Sequence, residues 1–167
     1  MFKTAFTFYL RSAGAYDHNE SYEGKYMLAF YFKDDQGIPH CHATHKYLDK
    51  QSDEDVEEII GIVDKYFKEK KPKVDKYWYF DKFSLFGKEK DCPVMERKDQ
   101  DDMMIDLKGD LEQFRKDNFP EYKPHLTLGD KFEDLDLEMI HSYEMEPIEY
   151  ALVTGDKKVK VWKLNSK

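Results

Sequence analysis

Two triplets in this chain place an imidazole and a hydroxyl two residues apart: His42-Ala43-Thr44 and His125-Leu126-Thr127. In an extended strand alternate side chains share a face, so each triplet projects His and Thr to the same side. Two imidazoles can divide acid and base work near neutrality, because an unperturbed His titrates at about 6.5. Two hydroxyls can hold the oxygens of a phosphate between them. The chemistry these residue types suit is proton transfer beside a bound phosphate.

The elements that must position the triplets are legible around them. The first triplet lies in the run Pro39-His40-Cys41-His42-Ala43-Thr44-His45-Lys46-Tyr47-Leu48, and the second in Pro124-His125-Leu126-Thr127-Leu128. Upstream, Thr4–Leu10 alternates as a strand with Phe6, Phe8 and Leu10 on a core face and Thr7 and Tyr9 opposite. Residues 11–25 read as a long loop and candidate lid, carrying Tyr16, His18 and Tyr22. Tyr26–Phe32 is almost wholly apolar, as a central strand should be, and Asp34-Asp35-Gln36-Gly37 turns the chain into the first motif strand.

A helix follows. Ser52 with Asp55 forms a capping pattern, Val56, Ile59, Ile60, Val63 and Phe67 share one face, and Pro72 forbids continuation. Lys68, Lys70 and Lys71 suit its negative end, and the wider lysine series from Lys65 to Lys76 reads as a solvated face and turn. Strands are expected at Tyr77–Phe86 and Cys92–Arg97, then a second helix from Asp101 to Asp117 with Met104, Leu107, Leu111 and Phe114 as its stripe. The end of the chain reads as a hairpin: Ile148, Tyr150 and Leu152 alternate, Thr154-Gly155-Asp156 turns, and Val159–Leu164 returns. On that last strand Val159 and Val161 are expected on one face, Lys160 and Trp162 on the other.

Composition bounds the partners. The chain has 167 residues, which suits one domain over 1–167, and 12 Tyr and 12 Phe fit aromatic-rich strands. A net charge of -8 argues against a general binder of long nucleic acid, which needs a basic footprint, but leaves room for a small nucleotide in a locally positive pocket. Two cysteines, Cys41 and Cys92, make no disulfide framework. No apolar run reaches membrane-spanning length and Met1-Phe2-Lys3-Thr4 lacks a signal pattern, so no membrane partner is expected and the expected location is the cytoplasm.

The paired His-x-Thr triplets, each in a strand and the second preceded by an amphipathic helix, resemble the 2H phosphoesterase superfamily. The resemblance implies an α+β, pseudo-symmetric fold in which two antiparallel sheets form a central cleft with helices on the outer faces. It implies that His42 and His125 flank a scissile phosphodiester as acid and base, in either order, while Thr44 and Thr127 hold its non-bridging oxygens. One departure stands out: the residue after the first Thr, apolar in the family, is His45.

Within the superfamily the layout is most similar to phage enzymes that degrade the cyclic di- and trinucleotide alarms of bacterial CBASS defence. A Tyr near the N-terminus and a Trp near the C-terminus flank the bases there. Tyr9 and Trp162 match those positions, and Glu149 is the nearest match to a Glu on the preceding strand. Either ring suits a core position equally well. The function so implied is cleavage of 3′-5′ bonds in a cyclic oligonucleotide substrate, without cofactor, in the cytoplasm of the host. Alternatives are a 2′,3′-cyclic or 2′,5′-oligoadenylate phosphodiesterase, or a module that sequesters cyclic nucleotides. A rival takes His40, His42 and His45 as the His-x-His-x-x-His of metallo-β-lactamase-fold hydrolases. It ranks behind, because Thr44 stands where that motif carries Asp. His40 and His45 read instead as structural residues.

Overall fold

A computed structural model of the chain describes residues 24–34, 36–87, 89–116, 123–129, 131–155 and 157–164. The expected strand at 4–10 with Tyr9, and the expected loop up to residue 23, lie outside the described residues.

The described residues form an α+β structure with two antiparallel four-stranded sheets. The first sheet has the order β2-β1-β7-β8, built from β1 (Lys25–Lys33), β2 (Pro39–Lys50), β7 (Pro147–Thr154) and β8 (Lys157–Lys163). The second has the order β5-β4-β3-β6, built from β3 (Trp78–Phe86), β4 (Cys92–Arg97), β5 (His125–Thr127) and β6 (Tyr143–Met145). Among the described strands, both motif strands, β2 and β5, therefore lie at the edges of different sheets. The apolar run of β1 takes an inner position, as continuous hydrophobicity requires, and is buried on both faces.

The helix α1 (Asp53–Lys70) begins where the sequence places it: the Ser52 side chain accepts the Asp55 N–H at 3.1 Å. It ends at Lys71, which adopts a left-handed conformation with φ of 46°. The second helix, α2 (Asp102–Leu111), is shorter than the expected Asp101–Asp117. Past Leu111 the chain bends toward the end of β2 instead. The Phe114 carbonyl accepts from Gln51, and the Arg115 guanidinium meets Asp49 at 3.0 Å. Strand β6 and two single turns of 3-10 helix, Phe132–Asp134 and Leu137–Met139, are additions to the sequence reading.

One apolar core runs under both sheets and both helices. Phe30, Phe32, Cys41, Ala43, Tyr150 and Leu152 of the first sheet share it with Trp78, Phe80, Met95 and Leu126 of the second. Val56, Ile59 and Val63 of α1 and Met103, Met104 and Leu107 of α2 pack against these. The opposite face of the first sheet carries its own cluster, Met27, Ala29, Tyr31, Ala151 and Val153. Among the described residues no helix is long and apolar enough to cross a membrane.

Candidate active site

Strand parity decides which side each triplet faces. In β2, Ala43 pairs with Phe30 and belongs to the shared core, whereas His42 pairs with Tyr31 and Thr44 with Ala29. The first triplet thus lies on the side of the sheet away from the shared core. In β5, Leu126 pairs with core Met95, whereas His125 pairs with Glu96 and Thr127 with Val94. The second triplet also lies away from the core. Strands β2 and β5 adjoin, with Cα atoms within 8 Å of each other. Two imidazoles and two hydroxyls, all half-buried, are carried on adjoining sheet edges.

Each triplet is held differently. The His42 ring lies 5.8 Å from that of Tyr31, and the Thr44 hydroxyl donates weakly to Met27 Sδ at 3.4 Å. Burial first, and then the Glu149 charge, push the Tyr31 phenol well above its ordinary value, so it remains protonated at neutral pH. His125 is fixed by its own backbone. Its Nδ1 lies 2.8 Å from the Lys123 carbonyl, which can only accept, so Nδ1 carries the proton and Nε2 the lone pair in the neutral ring. Phe86 meets the ring edge-on, centroids 4.7 Å apart. Although β5 is three residues long, it is tied at both ends: Arg97 N–H donates to the Pro124 carbonyl at 2.8 Å, and Leu128 N–H to the Pro93 carbonyl at 2.9 Å.

Glu96 is the buried acid beside His125. It accepts a short hydrogen bond from the Ser84 hydroxyl, and the Lys82 ammonium lies 3.8 Å away. Burial lowers the His125 pKa; the Lys123 carbonyl and the Glu96 charge oppose it, and the net position is below the ordinary histidine value. Sequence reading missed Glu96, although an acid directly after the apolar run Pro93-Val94-Met95 of a strand is a usable signal.

The other expected site residues divide. Glu149 pairs in register with Tyr31, which pairs with His42, so it sits on the same side of the first sheet as the first triplet. Its carboxylate is bound by Lys163 at 2.7 Å and Lys158 at 2.9 Å. Burial alone would raise this carboxyl, but the two lysines, through hydrogen bonds and charge, hold it below the ordinary range. Trp162 is a correction to the sequence reading. It pairs with Tyr150 on the core side, stacks on Phe67 of α1 at 6.0 Å, and donates its indole N–H to Asp64 at 2.7 Å. The sheet is apolar on both faces, and Val161 rather than Trp162 turns to the His42 side, against Ala151. Trp162 is not a wall of this site. Tyr9 lies outside the described residues.

His45, the departure from the family pattern, also turns into the core. A bulge falls there, because Ala29 pairs with Thr44 while the adjacent Leu28 pairs with Lys46. His45 Nε2 donates to the Met104 carbonyl at 2.8 Å, which leaves Nδ1 to accept from the Tyr150 hydroxyl at 2.6 Å. His42 and His45 therefore face opposite sides of the sheet, which separates two members of the His-x-His-x-x-His metal pattern. No family model and no curated protein matches this sequence.

Proposed function

We propose that this chain is a metal-independent phosphodiesterase of the 2H type, acting on cyclic oligonucleotides. The observation that carries the reading is the placement of both His-x-Thr triplets on adjoining edge strands of two sheets, each facing away from the shared core. That arrangement suits a phosphodiester held between two imidazoles.

The roles follow from the fixed tautomer. His125, with Nδ1–H committed to the Lys123 carbonyl, keeps a lone pair on Nε2 and acts as general base. It removes the proton from the attacking oxygen, a ribose 2′-hydroxyl or water, as the new P–O bond forms. His42 gives its proton to the leaving oxygen as the old P–O bond breaks. Thr44 and Thr127 donate hydrogen bonds to the non-bridging oxygens, where negative charge accumulates in the transition state. The 2H resemblance supplies the substrate class, 3′-5′-linked cyclic di- and trinucleotides, and with it a role in silencing CBASS signalling.

The test is incubation of the protein in EDTA with cyclic dinucleotides, cyclic trinucleotides, 2′,3′-cyclic mononucleotides and 2′,5′-oligoadenylate, followed by chromatography. Turnover of the cyclic 3′-5′ species that EDTA leaves unchanged is expected. Intact ligand recovered in complex would make the protein a sequestering module. Activity lost to EDTA and restored by zinc would replace the two-histidine mechanism with a metal centre.

A further inference from the structure

The first sheet carries a row of side chains whose charges the two triplets do not use. Across the strands at one level run His42, Tyr31, Glu149 and Lys163, each paired in register with the next. Lys158 joins the row from further along β8: its ammonium lies 2.9 Å from Glu149 and 4.1 Å over the ring of Tyr31, the same ring that His42 approaches at 5.8 Å. Among the described residues one buried carboxylate here holds two ammonium groups, so this cluster of three carries one net positive charge in a chain whose total is -8. The Lys158 side chain is one-third exposed, and its partner Glu149 is buried at 6%.

A structural ion pair needs only one lysine per carboxylate. A second ammonium carries a surplus charge, and holding it over an aromatic ring beside an imidazole gives it a fixed position. Strand spacing of about 4.8 Å places Glu149, two strands over, about 10 Å from the His42 backbone. The Lys158 ammonium reaches back over Tyr31 toward His42, which shortens that span toward the separation of consecutive phosphates across one nucleoside. We propose that Lys158, positioned by Glu149 and Tyr31, forms a subsite for a phosphate next to the scissile one, which selects substrates with at least two phosphates. This rests on the phosphodiesterase reading above. Glu149 then acts as a positioning residue for the lysine and makes no contact with a base.

The experiment uses matched linear substrates that differ by one phosphate: a dinucleoside monophosphate with and without a 5′-phosphate, alongside a cyclic dinucleotide. The unaltered protein should prefer the substrates with two phosphates. Lys158→Met keeps the alkyl stem over Tyr31 and removes the charge. It should lower the ratio of kcat/KM for two-phosphate over one-phosphate substrate by about 10- to 150-fold, the range for losing a hydrogen bond to a charged group. The loss should appear in KM, and Lys158→Arg should restore most of the preference. An equal loss on both substrates, or no loss, overturns the subsite while leaving the two-histidine reaction standing. Should Lys158→Met not fold, the salt dependence of the unaltered protein decides. KM for the two-phosphate substrate must rise more steeply with ionic strength than KM for its partner, and parallel slopes overturn the subsite. Failure of the unaltered protein to cleave any of the three substrates overturns the phosphodiesterase reading itself, and the subsite with it.

Discussion

The two His-x-Thr triplets are the same three-residue device set in unlike surroundings. The first sits within a 12-residue strand with bulges, next to Tyr31, and its histidine is placed by an aromatic neighbour. The second sits in a three-residue strand, and its histidine is placed by its own backbone, by Phe86 and by buried Glu96. Repetition of a motif therefore does not repeat its surroundings. In the proposed reaction, fixing one tautomer through a backbone carbonyl biases that ring toward proton acceptance and leaves donation to the other.

The largest test of this contrast is removal of each ring. His42→Ala and His125→Ala should each lower kcat by about 10²- to 10⁴-fold in a protein that stays folded, the usual contribution of general acid–base catalysis. Near-normal turnover by either folded variant, measured by product chromatography, breaks the pairing. Next comes the contrast between the two sides of the first sheet. Trp162→Ala should cost about 3–5 kcal/mol of stability by denaturant titration, as a core aromatic does, with unchanged nucleotide affinity in the folded fraction. Affinity lost without stability would return Trp162 to the binding surface.

Smaller is the effect of the hydroxyls. Thr44→Val and Thr127→Val keep strand shape and should each weaken turnover by about 1.5–3 kcal/mol, roughly 10- to 150-fold, read in kcat/KM. If one is silent, the phosphate is held from one side only.

Smallest is the charge beside His125. Its pKa lies below the free value of about 6.5, so the acid limb of kcat/KM should fall below that pH, since the base must be neutral. Glu96→Gln removes a charge that favours imidazolium, so the limb should move further to acid. Movement toward alkali would show that His125 is not the group being titrated. The same shift has a stability sign: as pH falls through the ordinary histidine range, the unfolded chain takes up a proton that folded His125 resists, and stability declines.

Much of this was legible in the sequence because local rules dominate there. The Ser52 cap, the apolar stripe of α1, the inner position of β1 and the terminal hairpin all follow from patterns within a few residues. That His and Thr of each triplet share a face was legible too, since strand alternation fixes it, but which face it is came only with the sheet pairing. What escaped depends on partners distant in the chain. Trp162 is expected at the site and lies in the core instead, because the sheet is apolar on both faces and alternation alone does not say which one meets α1. No local pattern announces the Lys158–Glu149–Lys163 cluster, because only the pairing of β7 with β8 brings the three together. Helix α2 stopped early because the chain beyond Leu111 found partners at Gln51 and Asp49, which no local pattern encodes.

The brevity of β5 has a consequence for how the protein ages and warms. Among the described strands it pairs with β4 alone, over three residues, whereas β1 is bonded along both edges. Segments so lightly tied open well below the free energy of global unfolding. Amide protons of β5 should then exchange with solvent faster than those of β1, and each opening takes His125 and Thr127 out of register with His42 and Thr44. The proposed reaction would then fade on heating before the sheets melt.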